Sequence, residues 1–99
     1  MKILITGGSG MVGKNVLAIL SSQDHELLYP NSTQLDLANF KETIKYLKKN
    51  KPDFIIHSAG YVGGIQANIS HPVDFLVNNL DIGRNIVFAS YQVGIEKVL

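Results

Sequence analysis

The chain has 99 residues, 45% of them apolar, a formal charge of +1 and no cysteine. It is long enough to bury a modest single core, and it is too nearly neutral to carry the electrostatic footprint of a nucleic-acid or acidic-membrane binder. Disulfides and thiolate metal sites are excluded; the composition fits a cytoplasmic protein, with neither a membrane-length apolar run nor a signal peptide at its start.

Lys2 to Thr6 is a short β-branched run that predicts a strand covered on both faces, and glycines follow at 7, 8, 10 and 13. Gly7, Gly10 and Gly13 read as GxxGxxG, and Gly8, Gly10 and Gly13 also satisfy GxGxxG. Both serve the same physics. The first glycine permits a tight reversal, and the second lets backbone N–H groups approach a pyrophosphate. Gly13 allows the following helix, expected over 12–22, to lie close to the sheet with its N-terminus toward the phosphates. Gly8 to Lys14 also fits GxxxxGK, the opening of a triphosphate-binding loop, which would make the chain a nucleotide kinase. Against this, Asn15 stands where a magnesium-binding hydroxyl is required, and Met11 and Val12 are bulky for a phosphate cradle.

A second strand is expected over 26–29. Where NAD-specific proteins usually place an acidic residue, the chain has Tyr29-Pro30-Asn31-Ser32, so nothing repels a 2′-phosphate, Asn31 and Ser32 can donate to it, and NADP is favoured, although no arginine accompanies them. At Asp36-Leu37 two readings stand side by side: a carboxylate accepting from the adenine amino group beside an apolar wall, or a cap that orients the turn before the next helix. That helix is expected over 39–49, with Asn39 and Glu42 at capping-box spacing, Asn50 to Pro52 as its stop, and Lys41, Lys45, Lys48 and Lys49 as a solvated face.

A third strand, 53–57, ends at His57-Ser58-Ala59-Gly60, on the carboxyl edge where open α/β sheets bind ligands. His57 reads as a buried, hydrogen-bonded strand histidine rather than a proton donor; His25 and His71 flank turns and lack metal-ligand spacing. The last helix, 72–92, opens on Pro72 with Asp74 in its first turn. Val73, Leu76, Val77, Leu80, Val87 and Tyr91 form one apolar stripe, while Phe75, Ile82, Ile86, Ala89 and Val93 form another. One covers the sheet; the second either packs inside a larger domain or meets another subunit. A further strand begins at 96. The alternation predicts an α/β fold, a Rossmann-type doubly wound parallel sheet, of which 99 residues are expected to be the N-terminal part.

One segment is more specific than the glycine turn. Tyr61-Val62-Gly63-Gly64-Ile65-Gln66-Ala67-Asn68 is continued by Pro72, Asp74, Phe75 and Asn78-Asn79, and with GGSGMVG and the Leu35-Asp36-Leu37 triplet it resembles the extended short-chain dehydrogenase/reductase family. Within that family the resemblance is to the epimerase-reductases that convert GDP-4-keto-6-deoxy-D-mannose to GDP-L-fucose with NADPH, and it covers about their first third. It implies that Gly7, Gly8, Ser9, Gly10, Met11, Val12 and Gly13 bind the pyrophosphate, that Ser32 lies near the 2′-phosphate, and that Asp36 and Leu37 border adenine. Ala59 and Gly60 would meet the central ribose and phosphate, Val62 to Ile65 would floor the nicotinamide site, and Asn79 would organise the active site. Pro30 and Ser32 depart from members that use arginine there. The resemblance also implies a nucleotide-sugar substrate and catalytic tyrosine, lysine, serine, cysteine and histidine residues that this segment lacks, while the second apolar stripe of the last helix leads to the expectation of a homodimer. Tyr29, Tyr46, Tyr61 and Tyr91 are followed four residues on by Thr33, Asn50, Ile65 and Ile95, never by lysine, so residues 1–99 alone are expected to be inactive. A non-catalytic NADP-sensing module, or another nucleotide-sugar epimerase or dehydratase, is the alternative.

Overall fold

The computed structural model describes residues 1–7, 11–58 and 72–99, without the side chains of Met11, Val12, Pro72, Asp74, Phe75 and Leu76. The chain alternates β1 (Lys2–Thr6), α1 (Met11–Leu20), β2 (Glu26–Leu28), α2 (Phe40–Asn50), β3 (Phe54–His57) and α3 (Pro72–Val93). The strands form one parallel sheet in the order β2-β1-β3. Ile3 to Leu4 pair with Leu27 to Leu28 on one side, and Ile3 to Thr6 with Phe54 to His57 on the other. A fourth parallel strand starts beside β3: Val98 bridges Ile55, Ile55 N donates to Lys97 O at 2.9 Å, and Leu99 N donates to Ile55 O at 2.8 Å.

Because β1 is central, Ile3 to Thr6 are buried on both faces, as expected of a strand under helices on both sides. Right-handed crossovers in opposite directions put α1 on one face of the sheet and α2 and α3 together on the other. The main core lies on the second face, where Leu4 and Ile55 meet Leu47 of α2 and Ile86 and Ala89 of α3. Thr43, Ala89 and Ser90 are buried in these helices, and the hydroxyls of Thr43 and Ser90 are satisfied by carbonyls one turn back, Asn39 O at 2.9 Å and Ile86 O at 2.5 Å.

Local chemistry sets the element ends, and several differ from the sequence expectation. Helix α1 stops at Leu20 rather than 22, because the hydroxyls of Ser21 and Ser22 turn back onto the carbonyls of Ala18 and Ile19. β2 ends at Leu28, ahead of Pro30, which has no N–H to give a ladder. β3 starts at Phe54; just ahead of it Asp53 N donates to Lys2 O at 2.7 Å and the Asp53 carboxylate takes the Lys2 N–H at 2.8 Å. Asn39 is the N-cap of α2 and not its first residue; its side chain accepts from Glu42 N at 3.1 Å. The reciprocal half of the capping box does not form. Glu42 Oε1 accepts from Asp36 N, at 3.4 Å, while Asn39 N donates to Asp36 O. Asn39→Ala should cost about 1 kcal/mol, the usual worth of such a cap, read as a lower urea midpoint at unchanged slope. Helix α3 runs to Val93 and closes on Gly94 at φ 90°, with Ile95 N bonded to Ser90 O at 2.9 Å.

A candidate dinucleotide-binding edge

β2 and β3 lie on opposite sides of β1, so the chain changes direction across the sheet at the carboxyl ends of β1 and β3. Such a switch point opens a crevice that open α/β sheets use for ligands. Gly7 stands at this edge with φ 72°, a conformation that a Cβ would strain, and α1 begins four residues later. Gly13 is buried in the first turn of α1, which contacts β1, as required where a helix must lie close to the sheet. The backbone of Met11 and Val12 forms the first residues of α1. Because the strands are parallel, the N-termini of α1, α2 and α3 all face this carboxyl edge and bring their positive dipole ends to it.

Across the crevice, β1 and β3 are knit together by side chains. Thr6 Oγ1 lies 2.7 Å from His57 Nδ1 and accepts from Ser58 N at 3.1 Å, and Ser58 Oγ donates to Thr6 O. Burial holds the His57 imidazole below the usual histidine range, so it is uncharged at neutral pH, matching the strand-histidine reading. Its unfolded value near 6.5 exceeds the folded one, so the unfolded chain takes the proton first. Stability is therefore complete above about pH 6.5 and falls as the pH descends from there through the lowered folded value. His57→Gln should flatten that part of a stability-against-pH curve measured by urea unfolding of the full-length protein; an unaltered slope between pH 7 and 5 would contradict the assignment.

Beyond β2, Asn31 organises the turn. Its Oδ1 accepts from Thr33 N, Thr33 Oγ1 and Gln34 N at 3.1, 2.6 and 2.9 Å, which leaves only its amide NH2 to donate elsewhere. Ser32 is exposed on the same turn. Asp36 is exposed too, and its Oδ1 accepts from Ala38 N at 3.0 Å, so the turn-orienting reading of this residue is realised. Leu37 is partly buried against the core. Asn79 is half-buried in the second turn of α3 and has a partner. Gly8, Ser9, Gly10, Ala59, Gly60 and the Tyr61–Asn68 segment lie outside the described residues. Sequence reasoning overlooked Asn85, buried on α3, whose Nδ2 donates to Leu37 O at 2.9 Å; an asparagine on the otherwise apolar inner stripe was its signal. Among the described residues no three His, Asp or Glu are grouped to hold a metal ion, and no helix is long and apolar enough to cross a membrane.

The family model described as NAD dependent epimerase/dehydratase matches residues 3–99. The chain is 54% identical to GDP-L-colitose synthase of Yersinia pseudotuberculosis over all its residues, and 43% identical to GDP-L-fucose synthase of Azorhizobium caulinodans over 92% of them. Among solved structures it superposes with a TM-score of 0.89 on a GDP-mannoheptose C4 reductase from Campylobacter jejuni with NADP bound, at 28% identity over 98% of the chain. The chain spans 32%, 29% and 31% of the lengths of these three proteins.

Proposed function

The chain belongs to the NAD dependent epimerase/dehydratase family, and on that premise we propose that residues 1–99 are the N-terminal, cofactor-binding portion of a Rossmann domain in an NADPH-dependent enzyme that epimerises and reduces a GDP-linked 4-keto-6-deoxy sugar. The observation that carries this reading is the β1–Gly7–α1 passage at the switch point, in a chain whose relatives include GDP-sugar synthases. The cradle fits a dinucleotide: Gly7 holds a left-handed φ of 72° that a side chain would strain, and the helix N-termini offer N–H donors to a pyrophosphate. In this reading Gly7 to Gly13 hold the pyrophosphate, Ser32 and the Asn31 amide meet a 2′-phosphate, Asp36 and Leu37 border adenine, Ala59 and Gly60 lie along the central ribose and phosphate, and Asn79 supports the active site. When bound, NADPH supplies the hydride for reduction of the keto group. The acid that protonates the resulting alkoxide is assigned to a tyrosine–lysine pair outside residues 1–99.

GDP-4-keto-6-deoxy-D-mannose, giving GDP-L-fucose, is the substrate supported by the sequence resemblance and by the GDP-L-fucose synthases among the relatives. A second reading, formation of GDP-L-colitose, is favoured by the 54% identity to a GDP-L-colitose synthase. Incubating the full-length protein with NADPH and the 4-keto precursor of each sugar, and identifying the product by chromatography, separates them. NADPH oxidation with one precursor names the substrate. NADP binding without turnover of either precursor supports a cofactor-sensing module instead, and absence of NADP binding refutes both enzyme readings.

The outer face of α3 bears on assembly. Val73, Val77, Leu80, Val87 and Tyr91 are exposed, and Arg84 lies in the same row with its guanidinium 5.9 Å from the Phe88 ring centroid. Positions 73, 77, 80, 84, 87 and 91 alternate steps of four and three, the seam of a helix that packs against another helix. In this reading the seam joins two copies across a two-fold axis. Val77→Glu or Tyr91→Glu should turn a dimer into a monomer in sedimentation. A monomeric wild type, or dimers that persist in both variants, would disprove it.

A further inference from the structure

We propose that Asn85 is a positioning residue for the adenosine end of the cofactor, holding the Asp36–Leu37 turn in place from the neighbouring helix. This rests on the cofactor-binding reading above. Asn85 is 3% exposed on the stripe of α3 that also buries Ile86 and Ala89. A polar side chain at such depth is stable only when hydrogen-bonded. Its Nδ2 donates to the carbonyl of Leu37, 48 residues away, at 2.9 Å.

The segment it reaches is also fastened to the core and to α2, and braced within itself. Leu37 packs against the main core, Asp36 N donates to Glu42 Oε1 of α2, and Ala38 N donates to the Asp36 carboxylate. A link between β2 and α2 requires only that the chain be connected, and the Asn39 cap already starts the helix. The extra anchorage from α3 fixes the position of residues 36–38 themselves. They follow the carboxyl end of β2, and in a βαβ dinucleotide fold the adenosine half of the cofactor lies over that end. Asn85 therefore acts through the Leu37 backbone: without its donor, the Leu37 carbonyl loses the bond that ties it to α3 and the turn shifts outward, carrying Asp36 and Leu37 away from the adenine. The nicotinamide end, at the β1–β3 switch point, is built from other segments and is unaffected.

The test uses the full-length protein and Asn85→Leu, which keeps the volume and removes the donor. The KM for NADPH and the inhibition constant of ADP, the adenine end common to NAD and NADP, should rise together about tenfold, the worth of one buried hydrogen bond, while kcat stays within about twofold. Unchanged constants, or a fall in kcat at constant KM, would overturn the inference. Should the variant fail to fold, the Asn85 side-chain amide signals of the wild type decide: they should shift on adding ADP and not on adding nicotinamide mononucleotide, and indifference to ADP would overturn it. A wild type that binds neither NADPH nor ADP refutes the cofactor reading itself, whereas a wild type that binds both, matched by Asn85→Leu, refutes only the role of Asn85.

Discussion

Gly7→Val in the full-length protein should raise the Kd for NADP at least about a hundredfold, the scale of penalty for ångström-level misplacement in a binding or catalytic frame. Gly7 sits at φ 72°, where a β-branched residue is strained by about 1–3 kcal/mol. The chain cannot relieve this by moving backward, because Thr6 is buried and its hydroxyl is engaged with both His57 and Ser58. The strain is released forward instead, toward α1 and the residues that the proposed complex assigns to the pyrophosphate. Gly10→Val, placed by the sequence at the middle of the phosphate turn, should block binding with the fold largely intact. Calorimetric titration with NADP and with NAD, paired with thermal melting, separates the two effects: lost binding with a lowered Tm for Gly7→Val, lost binding at nearly unchanged Tm for Gly10→Val. Wild-type affinity in both variants would show that the cofactor does not lie on this turn, and a clear preference for NAD would refute the choice of NADP.

Ile55→Ala should lower stability by about 2–5 kcal/mol, the range for truncating a fully buried aliphatic side chain. Ile55 has no exposed surface; it pairs with Leu4 on one side and bridges Val98 on the other, and it shares the core with Leu47, Ile86 and Ala89. The site has little freedom to collapse, because both flanking strands are held by ladder hydrogen bonds and the helices above by their own packing. Ile55→Val, removing one methyl group, should cost about 0.5–1.5 kcal/mol. Urea unfolding at constant slope gives both values, and a cost for Ile55→Ala below that of Ile55→Val would place this residue outside the central core.

The elements that were legible in sequence are those whose cause is local. β1 was readable over Lys2–Thr6 from its β-branched run, and the left-handed conformation of Gly7 from the glycine that permits it. The α2 N-terminus was readable to within one residue because a cap is a contact over three positions, Asn39 to Glu42. Misplaced ends have short-range causes that compete with periodicity: the Ser21 and Ser22 hydroxyls curtail α1, and Pro30 ends β2 at Leu28. The two stripes of α3 were visible as a pattern, but not which of them faces inward; packing of Ile86 and Ala89 on Leu4 and Ile55 decides that.

The alternation of strands and helices and the left-handed backbone at Gly7 were readable from the chain alone, since each depends on neighbours within a few positions. The strand order β2-β1-β3, which makes a switch point of Gly7 and Ser58, and the Thr6–His57 and Asn85–Leu37 bonds that span 51 and 48 residues emerge only in the folded molecule. The physical reason is that strand order and buried polar pairing are selected by which apolar faces close against one another, and that selection is a property of the whole folded core, not of any one segment.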